Sequence, residues 1–366
     1  MSEETFVHQT MLTCLGNKRK LVKGIDEIVG EVVASLDKDS ITIVDGFAGS
    51  TVVSRQLAYR ADILYTNDLE RYSYLMCQCY LQPPSKENQD LISVHIERMN
   101  LIAAEGPYVP GIISELYAPL DTNHIQDGER CFYTRENALI IDTLRKYIEE
   151  EVEKEIQTYC LVPLLTRASI HANTAGVFKG FYKHNGIGKF GGKGEFALSR
   201  IMKPIRINKP IWSSREIVVH CSQRDINNFI EEIPSNCDII YLDPPYNQHP
   251  YGSNYFMLNI IASNERPKQI SKVSGIPIDW NKSRYNKAKE AYDAMEHLIT
   301  TGLTKATYIL LSYNNEGIIP LSQWEILLEP YNVKKYEIPY DTYKGSRNLG
   351  NRSNKVIEIM YLLSMP

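Results

Sequence analysis

The sequence predicts an α/β fold built on a doubly wound, mostly parallel sheet, and two patterns carry this prediction. First, short apolar runs rich in β-branched residues recur along the chain and end in turn or charged residues, as buried parallel strands do. Second, a helix-length segment opened by small residues separates the first two runs, so strand, glycine-bearing turn, helix and strand follow in order. The runs are residues 41–44, 63–65, 217–221, 238–242 and 307–312, and the helical segment is residues 50–59.

The carboxyl-terminal segment has a different character. Residues 333–340 and 355–363 are predicted to be two further strands, with residues 345–354 between them as a polar hairpin or loop. Because no helix separates these strands, we expect them to pair antiparallel. The predicted sheet is therefore mostly parallel, with an antiparallel last strand.

One long span, residues 72–210, interrupts the alternation of strands and helices. It contains an acidic helical stretch, residues 140–156, and then a glycine-rich, basic passage, residues 186–196, without core periodicity. Such a passage suits a mobile hairpin that closely approaches a ligand backbone. We therefore predict an inserted recognition region between two parts of the main domain, residues 1–71 and 211–366.

The composition is that of a globular protein. Apolar residues make up 43% of the 366-residue chain and charged residues 23%, which excludes a disordered or fibrous class. The seven cysteines include no Cys-x-x-Cys pair, which argues against a zinc site or a disulfide framework. No apolar run approaches the roughly 20 residues that cross a bilayer, so we expect a cytoplasmic protein without a membrane partner.

Basic residues are concentrated in two stretches although the formal net charge is −4. Residues 179–209 contain eight basic residues and one acidic residue, and residues 265–289 contain seven basic residues and two acidic ones. Such local asymmetry suits a surface that follows nucleic-acid phosphates, because neutralised phosphates release counterions whatever the global charge. Taken alone, an ordinary solvated surface would explain each stretch as well.

The strongest motif is Asp243-Pro244-Pro245-Tyr246, directly after the apolar run 239–242. The carboxyl end of a parallel strand is where α/β sheets place ligands. There, the carboxylate of Asp243 and the main-chain carbonyl of Pro244 could accept both hydrogens of an exocyclic amine such as N6 of adenine. The prolines fix φ and carry no competing N–H. The alternative, that Asp243 only caps a turn, does not account for the rest of the motif.

Tyr246 offers an aromatic face for the base that carries the amine. Stacking on such a face is worth about 1–3 kcal/mol, comparable with the few kcal/mol needed to extract a base from a duplex. With a reference pKa near 3.9, Asp243 is too weak a base to deprotonate the amine before attack. We therefore expect Asp243 to orient and polarise the amine.

A second motif, residues 45–51, follows the first predicted strand and contains two glycines. A glycine turn before a helix lets the backbone approach a ligand, and the helix amino terminus favours a carboxylate. Asp68 comes one strand later, where a ribose hydroxyl pair would be bound. Together they indicate an adenosine-bearing cofactor, although a two-glycine turn is by itself as common in packing as in binding.

In its order of motifs, the chain resembles the Dam-like, alpha-group family of DNA adenine-N6 methyltransferases over nearly its whole length. The resemblance implies a Rossmann-like methyltransferase sheet with an inserted target-recognition region, double-stranded DNA as substrate and S-adenosyl-L-methionine as cofactor. Residues 15–21 resemble the family's first cofactor motif. The cofactor residues that the resemblance implies are Gly16, Asn17 and Lys18 at the methionine end, Asp45, Phe47 and Gly49 in the turn, Asp68 at the ribose, and Asp225 at the adenine.

The resemblance also extends to the insertion and to the chain after the catalytic motif. Residues 247–258 are similar to a family element that forms the wall of the target pocket, and residues 312–315 also match. Departures stand at Cys14, Gly46 and Thr51, where the family often has an aromatic residue, a proline and a second loop glycine. The residues that resemble DNA-holding positions are Asn173, Lys179, Lys183, Lys189 and Lys193.

For these lysines, contacts to phosphates or in part to guanine edges are expected, with ordinary surface lysines as the alternative. His171, His184 and His249 are predicted to lie in loops as surface or hydrogen-bonding residues, because they lack metal-ligand spacing. No metal and no covalent intermediate are predicted.

Several alternatives remain open from the sequence. The acceptor could be N4 of cytosine, the substrate could be RNA or a protein amide, or the chain could be a non-catalytic DNA-binding subunit. The setting could be restriction-modification, with a cognate endonuclease acting on the same site, or a phage or genome maintenance. The target sequence and the oligomeric state are not predicted.

Overall fold

The computed structural model describes residues 3–9, 11–12, 18–314, 317–341 and 355–366. Its strands are β1 (Thr42–Asp45), β2 (Ile63–Asp68), β3 (Lys183–His184), β4 (Ile187–Gly188), β5 (Val218–Gln223), β6 (Cys237–Leu242), β7 (Ala306–Asn314), β8 (Asn332–Asp341) and β9 (Lys355–Ser364). Its helices are α1 (Glu3–His8), α2 (Val22–Leu36), α3 (Val52–Leu57), α4 (Arg71–Leu81), α5 (Lys86–Glu105), α6 (Ile112–Leu116), α7 (Arg135–Glu151), α8 (Gln157–His171), α9 (Leu198–Met202), α10 (Ile226–Glu232), α11 (Tyr251–Asn254), α12 (Phe256–Ser263), α13 (Ala291–Lys305) and α14 (Leu321–Leu328). No helix in these ranges is both long and apolar enough to span a bilayer.

In the described residues, seven strands form one sheet in the order β5-β2-β1-β6-β7-β9-β8. The first five pair parallel, whereas β9 pairs antiparallel with both β7 and β8. The predicted mostly parallel sheet with an antiparallel last strand is confirmed. The last strand is inserted between its neighbours, so β8 forms the edge of the sheet. The loop predicted at residues 345–354 lies outside the described residues.

Strand β6 lies in the middle of the sheet and leads into the proline-rich motif. All of its residues are buried. Ile239 and Tyr241 belong to one core cluster, and Ile240 and Leu242 belong to the other, because successive side chains of a strand alternate between the two faces. Burial on both faces explains the continuous apolar run, since fully burying each aliphatic side chain contributes about 1.5–3 kcal/mol.

The order of the strands reverses between β1 and β6. From β1 the chain continues outward to β2 and β5, and it then returns to β6 on the other side of β1. The amide of Gly46, just after β1, donates to the carbonyl of Tyr241 in β6 at 3.0 Å. Such a switch point opens a crevice at the carboxyl ends of the two strands, and both predicted motifs lie there.

The helices of the insertion share a core with the sheet. Ile96 of α5, Leu144 of α7 and Leu164 of α8 belong to the same cluster as Ile43 and Ile239 of the sheet. A separate small cluster, formed by Cys131, Phe190 and Ile201, lies under the glycine-rich passage. The larger part of the insertion thus shares one hydrophobic core with the sheet. The predicted division at residues 72 and 210 stays a prediction.

A short β-hairpin is present in the insertion, but it begins before the predicted passage 186–196. Strands β3 and β4 pair antiparallel, and the turn between them is Asn185-Gly186. Both turn residues have positive φ, 51° and 86°, the conformation for which Asn-Gly is favoured in two-residue hairpins. Beyond the hairpin, Phe196 donates from its amide to the carbonyl of Gly191 at 2.8 Å. The first hairpin is therefore residues 183–188, and a separate set of turns follows it.

Candidate functional site

A cleft of about 940 Å³ opens at the carboxyl ends of the parallel strands. It is bordered by the residues that follow β1, β2, β5 and β6 and by α11. The residues bordering it that the sequence singled out are Lys18, Phe47, Gly49, Asp68, Asp225, Asp243 and Pro245. Gly16 and Asn17 lie outside the described residues.

The turn after β1 is held in shape by its neighbours. The amide of Ala48 donates to the carbonyl of Asn67 at 3.0 Å, which ties the turn to the end of β2. At Gly46, an added Cβ would lie 2.8 Å from Leu242 and 2.9 Å from Ile226. A side chain at this position would therefore require the terminal methyl groups of Leu242 in β6 and Ile226 in α10 to shift.

Asp45 shapes this turn and does not border the cleft, while its predicted contact with the cofactor stays a prediction. Its side chain is fully buried. One carboxylate oxygen accepts from the hydroxyl of Ser54 at 2.6 Å, and the other accepts from the amide of Phe47 at 3.2 Å. Burial raises the pKa of Asp45 to about 7. Among the described residues that border the cleft, Phe47 and Gly49 are present and Asp45 is not.

Asp68 joins the turn after β1 to the end of β2 and borders the cleft. Its carboxylate accepts from the amides of Gly49 and Glu70, both at 2.8 Å. Burial raises its pKa, although these hydrogen bonds oppose the shift. Asp225 borders the cleft from the other side, where its side chain accepts from the amide of Asn227 at the start of α10. The structure therefore brings both predicted acids to one cleft.

Glu70 is a cleft residue that the sequence did not single out. Its side chain accepts from the side-chain amides of Asn259 at 2.5 Å and Asn281 at 3.1 Å. Burial raises its pKa to about 7, and the charge of Asp68 adds to the shift. The sequence signal for Glu70 was a second acid two residues after Asp68. Its two asparagine partners could not be inferred from the sequence, because they come from distant segments of the chain.

Asp243 at the end of β6 is part of a buried ion cluster. Lys18 lies between Asp243, at 2.9 Å, and Glu358 of β9, at 2.6 Å. The hydroxyl of Ser312 in β7 also donates to Glu358 at 2.6 Å. Among the described residues, the second carboxylate oxygen of Glu358 has no hydrogen-bond partner. Lys18 therefore pairs with two carboxylates at once, so its ammonium group contacts Asp243 as well as bordering the cleft.

The pKa of Asp243 differs from the reference value used for the sequence prediction. Burial raises the pKa of Asp243 to about 6, while Lys18 opposes the shift and Glu358 adds to it. For Lys18 itself, burial lowers the pKa, but the charges of Asp243 and Glu358 outweigh burial and hold it well above its usual value. The carboxylate is therefore a stronger base than the sequence prediction assumed, and it is still mostly ionised at neutral pH.

The other members of the motif surround this carboxylate. Pro244 is buried, whereas Pro245 and Tyr246 are partly exposed. The ammonium of Lys18 lies 5.5 Å from the centre of the Tyr246 ring. The ring packs edge-to-face against Tyr313, with ring centres 6.1 Å apart. Lys18 and Tyr313 therefore fix the aromatic face next to Asp243.

Asn173 was predicted to contact DNA, but its side chain is fully buried. It donates to the carbonyls of Cys131 at 2.8 Å and Lys189 at 3.3 Å, and it accepts from the amide of Gly191 at 2.9 Å. These bonds satisfy the amide group completely. Asn173 therefore anchors the segment after the first hairpin, and its predicted contact with DNA stays a prediction.

The predicted lysines differ in their surroundings. Lys179, Lys183 and Lys193 are exposed. Lys189 is partly buried and lies 3.6 Å from the carboxylate of Glu195. Three of the four lysines are thus placed on the surface, where phosphate contacts require them to be.

The histidine predictions need two corrections, the first of which is that His184 lies in strand β3 and not in a loop. His171 is the last residue of α8 and is buried, not in a loop. Its ring shares a hydrogen bond with the carbonyl of Arg200 at 2.8 Å, and burial lowers its pKa to about 4. In the described part of the chain, no cluster of His, Cys, Asp and Glu could hold a metal ion.

Comparison with known proteins gives a consistent picture. The model of the family described as D12 class N6 adenine-specific DNA methyltransferase matches residues 15–323. The chain is 28% identical over 321 residues to the type II methyltransferase M.CviAII of Paramecium bursaria Chlorella virus 1, covering 87% of each chain. It is 26% identical to the type II methyltransferase M.NlaIII of Neisseria lactamica, covering 95% of this chain and 98% of the relative.

Proposed function

Because the chain belongs to the D12 class N6 adenine-specific DNA methyltransferase family, we propose that it methylates N6 of an adenine flipped from duplex DNA, with S-adenosyl-L-methionine as donor. Family membership makes the chain an adenine-specific DNA methyltransferase. The donor, the flipped base and the roles of single residues are the proposal. The observation that carries it is the position of Asp243, which ends the central strand in the same cleft as Phe47, Asp68 and Asp225.

The side chains of the cleft fit this donor. Phe47 provides an aromatic surface for the adenine ring, and Asp225 can accept from the adenine amine. Asp68 and Glu70 provide carboxylates for the ribose hydroxyls, as an acid at the end of the second strand does in nucleotide-binding α/β sheets. Lys18 borders the end of the cleft next to Asp243. When bound, S-adenosyl-L-methionine supplies a methyl group activated by a sulfonium.

Asp243 activates the adenine amine by position and charge. Its carboxylate accepts one N–H of the amine, and the carbonyl of Pro244 accepts the other, which draws the nitrogen lone pair out of the ring. As the amine gains positive charge during attack, the fixed carboxylate stabilises that charge. With a pKa of about 6, Asp243 is ionised at neutral pH and can take up the released proton.

Tyr246 and α11 hold the base. Tyr246 stacks on the flipped adenine, which offsets part of the cost of extracting it from the duplex. Tyr251 and Gly252 of α11 border the cleft, in agreement with the predicted wall at residues 247–258. The aromatic face and the amine acceptors therefore come from the same short segment of chain, which aligns base and carboxylate together.

The family match bears on the alternatives that the sequence left open. It supports adenine over N4 of cytosine, DNA over RNA or a protein amide, and an enzyme over a non-catalytic subunit. Relatives named type II methyltransferases further support a role in restriction-modification, beside an endonuclease that cuts the same site. Sequencing DNA from cells that express the chain, with detection of modified adenines, identifies that site.

The role of Asp243 is tested by Asp243→Ala. We expect this variant to lose methyl transfer to DNA while it keeps most of its affinity for S-adenosyl-L-methionine. Incorporation of tritiated methyl groups measures transfer, calorimetric titration measures cofactor binding, and nucleoside analysis identifies N6-methyladenine. Asp90→Ala is the matched control, because Asp90 is an exposed carboxylate that pairs with Lys86 on α5. Substantial turnover by Asp243→Ala would contradict the role of this carboxylate.

A further inference from the structure

A second hairpin, residues 269–278, lies within the basic stretch 265–289, but none of its residues was individually predicted to contact DNA. The amide of Ser271 donates to the carbonyl of Ile276 at 2.8 Å, and the amide of Ile278 donates to the carbonyl of Gln269 at 3.1 Å. Its turn contains Gly275, with a φ of +68°. These bonds give the second hairpin a defined backbone shape, although it lies in a long connection between α12 and α13.

Side chains of the insertion anchor the second hairpin. The guanidinium of Arg130 donates to the carbonyls of Ser271 at 3.3 Å and Lys272 at 3.2 Å. The hydroxyl of Tyr117 donates to the carbonyl of Gly275 at 2.8 Å. The turn is therefore held against the insertion from two sides, and the side chain of Lys272 projects from a fixed backbone.

The second hairpin also joins the first basic stretch to the cleft. The hydroxyl of Ser274 donates to the carbonyl of Lys179 at 2.6 Å. The neighbouring Phe178 donates from its amide to the carbonyl of Asn254 in α11 at 2.7 Å. Three residues beyond the hairpin, Asn281 borders the cleft and donates to Glu70. The two basic stretches of the sequence thus meet beside the wall of the cleft.

The charges of this segment are unequally neutralised. Arg266 pairs with Glu115, and Lys287 pairs with Glu290. In contrast, Lys268 and Lys272 are exposed, and neither forms an ion pair with any described residue. An ammonium group that has no partner within the protein can bind a phosphate of a polyanion and release its counterion. On a fixed loop, this binding costs little conformational entropy.

We infer that the second hairpin and the residue before it form a DNA-backbone clamp, in which Lys268 and Lys272 bind phosphates of the duplex next to the flipped adenine. This inference rests on duplex DNA being the substrate. The clamp contributes affinity that is independent of base sequence, because phosphate contacts fix position on the duplex without reading bases. Together with Lys179, the second hairpin extends the contact beyond the first hairpin.

The test is the double variant Lys268→Gln/Lys272→Gln. Binding to a mixed-sequence duplex is measured by fluorescence anisotropy over a series of salt concentrations. Each phosphate contact contributes about 0.9 to the slope of log K against log salt, so the slope is expected to fall by about 1.8. The methylated sequence is expected to stay the same, because no base contact is lost.

Lys154→Gln is the matched control. Lys154 is exposed before α8, at the opposite end of that helix from the residues that lead to the first hairpin. Lys154 belongs to neither basic stretch of the sequence and stands between two acidic residues, Glu153 and Glu155. Its slope is expected to equal that of the wild type.

The outcomes separate this inference from the proposed function. If the wild type binds and methylates duplex DNA but the double variant has the wild-type slope, the clamp is wrong and the function stands. If the wild type neither binds duplex DNA nor transfers methyl groups to it, the substrate assignment fails and the clamp fails with it. A reduced slope in the double variant alone supports the clamp.

Discussion

The cleft and the two hairpins both depend on charged side chains, but they keep them in opposite surroundings. In the cleft, Lys18, Asp243 and Glu358 have side chains 5%, 18% and 0% exposed and lie within 2.9 Å of a partner. On the hairpins, Lys183 and Lys272 are exposed. Buried, paired charges shift each other's pKa and so control chemistry, whereas exposed charges are screened by salt and control affinity.

This difference predicts two separate responses to mutation. A change in the cleft should alter the pH dependence of methyl transfer and the stability of the fold. A change on a hairpin should alter the salt dependence of DNA binding and leave both of those unaffected. Variants that mix the two responses would show that the two regions are coupled.

Lys18→Met gives the largest expected effect. It leaves Asp243 and Glu358 buried without their shared cation, and breaking a buried pair in this way costs about 3–5 kcal/mol. We expect the free energy of unfolding to fall by that amount in urea denaturation. In the folded fraction, the pKa of Asp243 rises because the opposing charge is gone, so the acid limb of the kcat profile moves to higher pH.

Glu358→Gln is the control for the direction of this shift. It removes a carboxylate that raises the pKa of Asp243, and it leaves Lys18 to serve Asp243 alone. The pKa of Asp243 then falls below about 6, and the acid limb of kcat moves to lower pH. Shifts of the two variants in the same direction would contradict the shared role of Lys18.

Asn173→Ala tests the region of the hairpins, and its expected effect is smaller than that of Lys18→Met. Removing the side chain leaves the buried amide of Gly191 without its acceptor, and such a loss costs about 1–3 kcal/mol of stability. The salt slope of DNA binding is expected to stay unchanged, because the residue contacts no phosphate. Lys183→Gln, on the exposed first hairpin, should give the reverse, with unchanged stability and a slope lower by about 0.9. A reduced slope in Asn173→Ala would restore its predicted contact with DNA.

The sheet was predictable because its signals are local. Each strand is a short apolar run, and the motif that ends at Tyr246 directly follows one of them. The same reasoning placed the turn after the first strand and Asp68 at one edge of the sheet, since the carboxyl ends of parallel strands meet there. Asp225, in contrast, was implied only by the family resemblance. Local pattern was sufficient for the fold.

Side-chain direction and distant partners were not predictable. Asp45 and Asp68 both end strands, but hydrogen bonds from Ser54 and Phe47 hold the carboxylate of Asp45 within the turn. Lys18 and Glu358 are 340 positions apart in the chain, so no local pattern joins them. The second hairpin appeared in the sequence only as an excess of basic residues.

Thr51→Gly gives the smallest effect and acts on the turn that borders the cleft. Thr51 is buried, has a φ of 65°, and its hydroxyl has no hydrogen-bond partner among the described residues. A left-handed backbone costs about 1–2 kcal/mol for a residue with a Cβ, and an unsatisfied hydroxyl adds to that cost. Loss of the buried Cβ and methyl group, about 0.8 kcal/mol each, and greater freedom of the unfolded chain oppose the gain.

The net expectation for Thr51→Gly is a free energy of unfolding higher by about 1 kcal/mol, since relief of strain and of the unsatisfied hydroxyl exceeds the two opposing effects. Thr51→Ser is the matched control, because it keeps the Cβ and the hydroxyl but loses the methyl group, and it should therefore be less stable than the wild type. Urea denaturation of the three proteins measures the order. If Thr51→Gly were less stable than the wild type, packing of the threonine methyl group would outweigh backbone strain in this turn.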